Sequence, residues 1–434
     1  MHDFLTKRVD NSPLILFRML FGVLMAYQCF YYIYDGWVFR NFISPKFTFT
    51  HIGFEFLQPL PGNGMYFYFA IMGICALGVA FGWFYRISLA LFLALWTSSY
   101  WMQKTNYNNH HYLIILVAVL LLFVPANTYA CADVKRSGKR FSMPDWVRWL
   151  FISQMAIVYF YAAIAKLYPD WMNGTFSGIA LGNYGKHYGI ALLQQHWFHL
   201  CVAWFGLLFD FFIVPMLLWK RTRILAVIAL FVFHTFNSVT LDIGIFPFFA
   251  LSFVLFFFDP NDIRRVFFPK KPVLDARTIE SETVGNTTIL KYVIAPYLLL
   301  QLLLPLRHWL IKGDVLWTEE GHKLSWRMML RERKGTAKFT VIDRKSGDTL
   351  EFDQDKELTK PQRKALATHP DMIWQMAQRI HSQFGEQGKD VAVYVKAEVS
   401  INRKPKKLLV DPNVDMALVK WDYFWHCPWI LDAE

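Results

Sequence analysis

The chain has 434 residues, 55% hydrophobic and 18% aromatic against 18% charged, with a mean hydropathy of +0.26 and a formal net charge of +12. That is too apolar for an ordinary soluble domain and marks a membrane protein. The basic residues fall in short clusters between apolar runs, where they act as topology signals, so nucleic-acid binding is set aside.

Apolar stretches of spanning or nearly spanning length occur at 13–34, 65–82, 87–102, 111–125, 146–167, 197–219, 223–237, 243–258 and 289–311. They predict a mainly α membrane protein, a polytopic bundle of about nine transmembrane helices. The basic N-terminus runs into the first of these without a clear small-residue cleavage site and is read as a retained first helix. With the N-terminus cytoplasmic, the inner segments hold fifteen Lys and Arg and the short outer loops only Arg40, Lys46, Lys104 and Lys186. Every inner segment favours the same orientation, so an integral, multi-pass protein with an extracytoplasmic tail is expected, in a bacterial inner membrane or the endoplasmic reticulum. Residues 259–288 read as an inner linker, which divides the membrane domain, 1–311, from the tail, 312–434.

The tail is polar. KFTVIDRKSGDTLEF, 338–352, holds two alternating runs around Ser-Gly-Asp and predicts a hairpin. The segment 361–384 predicts one amphipathic helix and 391–412 a second hairpin, giving an outer-facing α+β domain. The five cysteines lie far apart with no CxxC, so neither a metal site nor a disulfide framework is expected.

With this topology, unusual polar residues gather at one side of the membrane. Lys166 ends the fifth helix just before Tyr168-Pro169-Asp170; Asn108, Asn109, His110 and His111 open the fourth. FHTFNSVTLDIG, 233–244, is expected as the outer turn between the seventh and eighth helices, bringing His234, Asn237, Ser238 and Asp242. Those two helices share only residues 223–258, about 54 Å of helix, short for two crossings of a ~30 Å core. Their turn is therefore expected below the membrane surface, with His234 and Asn237 facing an internal pocket suited to a substrate with a lipid tail. Taken singly, each residue has a plainer reading. Lys166 could snorkel to the interface from a helix end, and buried histidines are more often hydrogen-bonded structural groups than catalysts.

The sequence resembles the vitamin K-dependent gamma-glutamyl carboxylases, whose membrane part is an HTTM-type helical domain. The residues that carry the resemblance run in order along nearly the whole chain: LFRMLFG at 16–22, LQPLPGNGMY at 57–66, FGWFYRIS at 81–88, YNNHHYL at 107–113, VYFYAAIAKLYPDW at 158–171 and FHTFNSVTLDIGIF at 233–246. They continue with LLLQLLLPLRHWL at 298–310, LSWRMML at 324–330 and VSINRKPKKLLVDPNVD at 399–415. The resemblance implies that reduced vitamin K is deprotonated and reacts with oxygen. The resulting strong base removes a γ-proton from a protein glutamate, and the carbanion captures carbon dioxide. It implies Lys166 as the initiating base, His110 as a catalytic partner, and Asn109, His234 and Asn237 as residues at the quinone, with no metal.

Its partners would be membrane lipid, quinone and a Glu-containing peptide. A neutral amine is needed for that role, and desolvation beside other potentially cationic groups would favour it. Animal members extend past the region matching residue 434 with sequence associated with propeptide recognition, and their linked cysteines have no evident counterpart here, so a short member is expected. Two alternatives follow: a quinol epoxidase that does not carboxylate peptide, and a non-catalytic lipid or quinone binder or transporter.

Overall fold

A computed structural model describes residues 5–241, 244–274, 287–328 and 330–433. The apolar stretches fold as helices, α1 (Ser12–Tyr34), α2 (Gly64–Phe81), α3 (Tyr85–Met102), α4 (Asn109–Phe123), α5 (Asp145–Ala165), α7 (His196–Leu218) and α8 (Arg223–Leu241), with a further helix, α6 (Thr175–Tyr188), between α5 and α7. After them come α9 (Phe246–Ser252), continued as a 3-10 turn to Phe257, α10 (Pro260–Phe267) and α11 (Ala295–Leu303), the last flanked by π-helical and 3-10 turns. The described residues of the nine apolar stretches are mainly helical, and among the described residues six helices are long and apolar enough to cross a membrane, or seven if the bent pair 246–257 and 260–267 counts as one span. Three of the nine expected spans thus do not meet that length and apolarity as single straight helices. Arg86 and Thr97-Ser98-Ser99 dilute α3, α4 has only 15 residues, and the chain turns by 116° between Phe257 and Pro260.

α1 and α2 pack most closely at Gly22, where an added Cβ would lie 2.7 Å or less from Ala76 and Ala80 backbone atoms. A small residue here lets two backbones touch, the usual device where lipid offers helices no hydrophobic drive to associate. At the end of the bundle that holds residue 5, strands β1 (Arg8–Asp10) and β2 (Ser142–Pro144) pair antiparallel. Lys271, counted from sequence among the inner topology charges, is fully buried there, with Nζ 2.5 Å from Asp10 Oδ1, 2.6 Å from Asn11 Oδ1 and 3.0 Å from Ser12 Oγ.

The C-terminal residues form one four-stranded antiparallel sheet, ordered β4 (Thr349–Leu350), β3 (Arg333–Asp343), β5 (Val391–Ile401) and β6 (Lys407–Leu408). Both expected hairpins are present, and an eleven-residue ladder between β3 and β5 joins them. Along β5, Val391, Val393, Val395, Ala397 and Val399 are all buried, a period of two that turns one face to the core. That face receives Met372, Ile373, Met376, Ala377 and Ile380 of a helix at Pro370–Gly385.

The single helix expected over 361–384 is two, α12 (Lys360–Leu366) and α13 (Pro370–Gly385), because Pro370 forces His369 into extended backbone at φ −122°. The loop between α1 and α2 wraps onto this domain: Phe49 joins its core, and the carbonyls of Phe47 and Thr50 accept from Gln362 and Gln375.

A buried charged joint between bundle and domain is Asp371, which accepts from Lys104 of the bundle at 2.7 Å and from Lys323 at 2.6 Å. Burial alone would push the Asp371 carboxyl up, yet Lys104 and Lys323, with His369 behind them, hold it well below the usual carboxylate range. Burial also brings the Lys104 ammonium down to about 8. A carboxyl depressed on folding stabilises the fold above its unfolded pKa near 4, and that contribution is lost as pH falls through the folded value. Asp371→Asn strands the buried ammonium of Lys104 and is expected to cost about 3–5 kcal/mol. Thermal unfolding in detergent should give a lower Tm for the variant at pH 7 and less of the wild type's further loss in acid; an unchanged Tm contradicts the joint.

Candidate active site

Lys166 caps the C-terminal end of α5, where the chain turns into Leu167-Tyr168-Pro169. It does not snorkel. Only 7% of the residue is exposed, and the side chain runs back along its own helix, with Nζ 3.4 Å from the carbonyl of Ala162. There it forms a buried ion pair with Asp210, and Nζ stands 5.2 Å from the centre of the Trp171 ring. Asp210 is the fifteenth residue of α7, about 21 Å along that helix from His196, and is 4% exposed. A carboxylate at that depth is tolerated because the lysine reaches it.

Asn108 starts α4 as its N-cap, with its side-chain oxygen 2.9 Å from the amide of His111. The following residues then diverge. His111 turns toward α1, its Nε2 3.1 Å from Tyr32 Oη, whereas His110 lies flat on Phe246 with ring centres 3.6 Å apart. Asn109 points toward the C-terminal segment, donating to the carbonyl of Arg327 at 3.2 Å and accepting from Tyr107.

α8 continues through Leu241, so His234 and Asn237 lie on helix, not in the turn expected from the sequence; Thr240 Oγ1 closes onto the Phe236 carbonyl at 2.8 Å. Their spacing of three puts them on neighbouring positions of one face. His234 is 3% exposed, with Nε2 3.1 Å from Tyr159 Oη, and its buried Nδ1 has no hydrogen-bond partner among the described residues. Asp242, expected in the same cluster, lies outside the described residues.

These elements enclose an apolar cavity of about 140 Å³. His110, Lys166, His234 and Asn237 all line it, together with Asp210, Tyr159 and Trp171, and Met328 reaches it from the C-terminal segment. Asn109 is not among the lining residues; its contact holds Arg327, next to Met328. Sequence reasoning missed Asp210, Tyr159 and Trp171. For Asp210 the signal was present, since it is the only acidic residue in an otherwise apolar 23-residue helix, and an ionisable group within a span marks a functional site by default.

His199 and His308 have local backbone partners, the carbonyls of Leu193 and Pro305. Among the described residues no group of three or more His, Cys, Asp or Glu has a metal-binding arrangement.

Two protein-family models match the chain. That of the HTTM domain covers residues 6–261, and that of the vitamin K-dependent gamma-carboxylase lumenal domain covers residues 286–434. No solved structure matches it. The bundle that holds the cavity and the domain that closes over it thus each match in turn, and the chain belongs to the vitamin K-dependent gamma-carboxylase family.

Proposed function

We propose that the protein carboxylates the γ-carbon of glutamate residues in a peptide substrate and couples this to epoxidation of reduced vitamin K, with Lys166 as the base that starts the sequence. The observation that carries the reading is the meeting of a buried Lys–Asp pair with His110, His234 and Asn237 around one apolar cavity, in a chain with both carboxylase domains. The donor set fits a hydroquinone: the walls are apolar, and the orphaned Nδ1 of His234 gives a ring oxygen a partner. When bound, reduced vitamin K supplies an acidic hydroxyl and a centre that oxygen oxidises, driving removal of the glutamate proton.

The residues divide the work as follows. Tyr159 Oη stands 3.1 Å from Nε2 of His234; we assign the tautomer in which the hydroxyl donates and Nδ1, which has no partner among the described residues, carries the ring proton for the ligand. Lys166 accepts a proton only as a neutral amine, and the charge beside it is an anion, Asp210, where cations had been expected. A proton passed from ammonium to carboxylate leaves an amine beside a carboxylic acid, with no charge left on either group. The amine then takes the hydroxyl proton from the substrate. The pair ends with one proton more than it began with, an ammonium at Lys166 and an acid at Asp210. His110, flat against Phe246 on the cavity wall, is assigned to the carbanion step, and the helices keep bulk water from the reacting groups.

The family's lumenal domain, with the inner-loop excess of Lys and Arg, supports a cytoplasmic N-terminus and an extracytoplasmic C-terminal domain. Segments assigned to the inner side, residues 8–12, 142–144 and 271, also meet at one end of the bundle.

The test is purified protein in detergent with reduced vitamin K, oxygen, labelled bicarbonate and a Glu-rich peptide. Epoxide and labelled peptide together are expected. Epoxide alone would make the protein a quinol epoxidase, and neither product would make it a non-catalytic binder. Lys166→Ala should abolish epoxide formation with quinone binding retained, and unchanged turnover would refute the base assignment. His110→Ala should lose carboxylation with little change in Tm; equal losses of both would mean a structural role. Asp210→Asn should slow turnover by at least ~10²-fold, the scale of a lost acid–base partner, and wild-type rates in that variant contradict the proton transfer within the pair.

A further inference from the structure

The five residues after Lys166 carry a second role. Leu167-Tyr168-Pro169-Asp170-Trp171 leaves α5 and enters a one-turn helix, Pro169–Met172. Trp171 packs against Phe176 and Ala203 of the bundle, and the C-terminal domain adds polar contacts to the segment. Tyr168 Oη donates to the carbonyl of Leu330. The Asp170 carboxylate accepts from Asn402 Nδ2 at 2.9 Å on one oxygen and from Lys404 Nζ at 2.9 Å on the other.

Asn402 is a rigid donor. It sits in the turn between β5 and β6 at φ +50°, its amide donates to the Glu332 carbonyl at 2.9 Å, and its side-chain oxygen accepts from the Glu332 amide at 2.9 Å. Backbone and side chain are both spoken for, so only Nδ2 is left, and it points at Asp170. The next residue, Trp171, is the aromatic face over the Lys166 ammonium, and its Nε1 is tied to the Ala203 carbonyl of α7 at 2.9 Å, two turns from Asp210.

We infer that Asp170 is a positioning residue: gripped by Asn402 and Lys404 of the C-terminal domain, it holds Trp171 as the cover over Lys166, so that the domain that closes the cavity also controls access to the base. The inference takes Lys166 as that base from the reading above. Contacts made on the β5–β6 turn reach the amine through Asp170 and Trp171, a route short enough for a bound peptide to open or seal the site.

The test reads the lysine directly and needs no turnover. Asn402→Gly removes the amide while keeping a residue that adopts positive φ without strain. Lys404→Met removes the charge and keeps the stem. The double variant and wild type are treated in detergent with trace acetic anhydride across a pH series, and acetylation of each lysine is followed by peptide mass spectrometry. Lys166 is expected to react about tenfold faster in the double variant, the scale of one lost desolvated cation–π contact, with the other lysines little changed and Tm lowered, because the buried Asp170 carboxylate loses both partners. Trp171→Leu, which removes the cover itself, should reproduce the effect. Unchanged Lys166 reactivity in both variants overturns the inference, as does a rise shared by all lysines, which would mean general loosening of the domain. Failure of the wild type to make epoxide would instead sink the catalytic reading and leave this measurement standing.

Discussion

The arrangement of this molecule depends on one buried ion pair. A lysine and an aspartate, drawn from the end of α5 and the middle of α7, meet in surroundings that are otherwise almost wholly apolar. Either alone would be an uncompensated charge in the bilayer core, at a cost of roughly 3 kcal/mol or more. Paired, they are neutral as a unit and fix the separation of two helices. Such a pair is seldom the most stable filling for a core, since apolar residues of similar volume do as well or better. Its retention beside a cavity with two further imidazoles fits a group kept for proton transfer.

The second constraint is closure. The cavity lies among helix ends, where irregular backbone must be buried by protein or face an enclosed space. The C-terminal domain provides that cover through a set of polar joints, each with one partner on the bundle: Lys104 to Asp371, Asn109 to the Arg327 carbonyl, Tyr168 to the Leu330 carbonyl, and Asp170 to Asn402 and Lys404. Two of these joints involve residues that adjoin the site, Asn109 beside His110 and Asp170 beside Trp171. The same contacts that dock the domain therefore shape the pocket.

Much of this was legible in the sequence because apolarity over a span-length window is a strong signal, and the described residues of the nine apolar stretches are mainly helical. Four residues singled out by their position at helix ends, His110, Lys166, His234 and Asn237, line one cavity. What escaped has physical reasons. Asp210 sits mid-helix, where a search of helix ends does not look. Asn109 is adjacent to His110, yet one residue of helix rotates a side chain by about 100° and takes it off the cavity. The break at His369 was signalled by Pro370, but the amphipathic pattern runs on through it in the one-dimensional reading. Among the described residues fewer than nine helices pass as straight spans, because polar residues dilute α3, α4 is short and the segment after Phe246 is bent. Contacts between domains, such as Asn402 on Asp170, join residues 232 positions apart and leave no local trace.

The central claim is that Lys166 becomes a base by giving its proton to Asp210. Infrared difference spectroscopy on anaerobic addition of reduced vitamin K reads this directly. The account predicts a new protonated-carboxyl band that is absent from Asp210→Asn and from Lys166→Ala. Binding of the hydroquinone with no carboxyl band, or with a band that survives in Asp210→Asn, would contradict it.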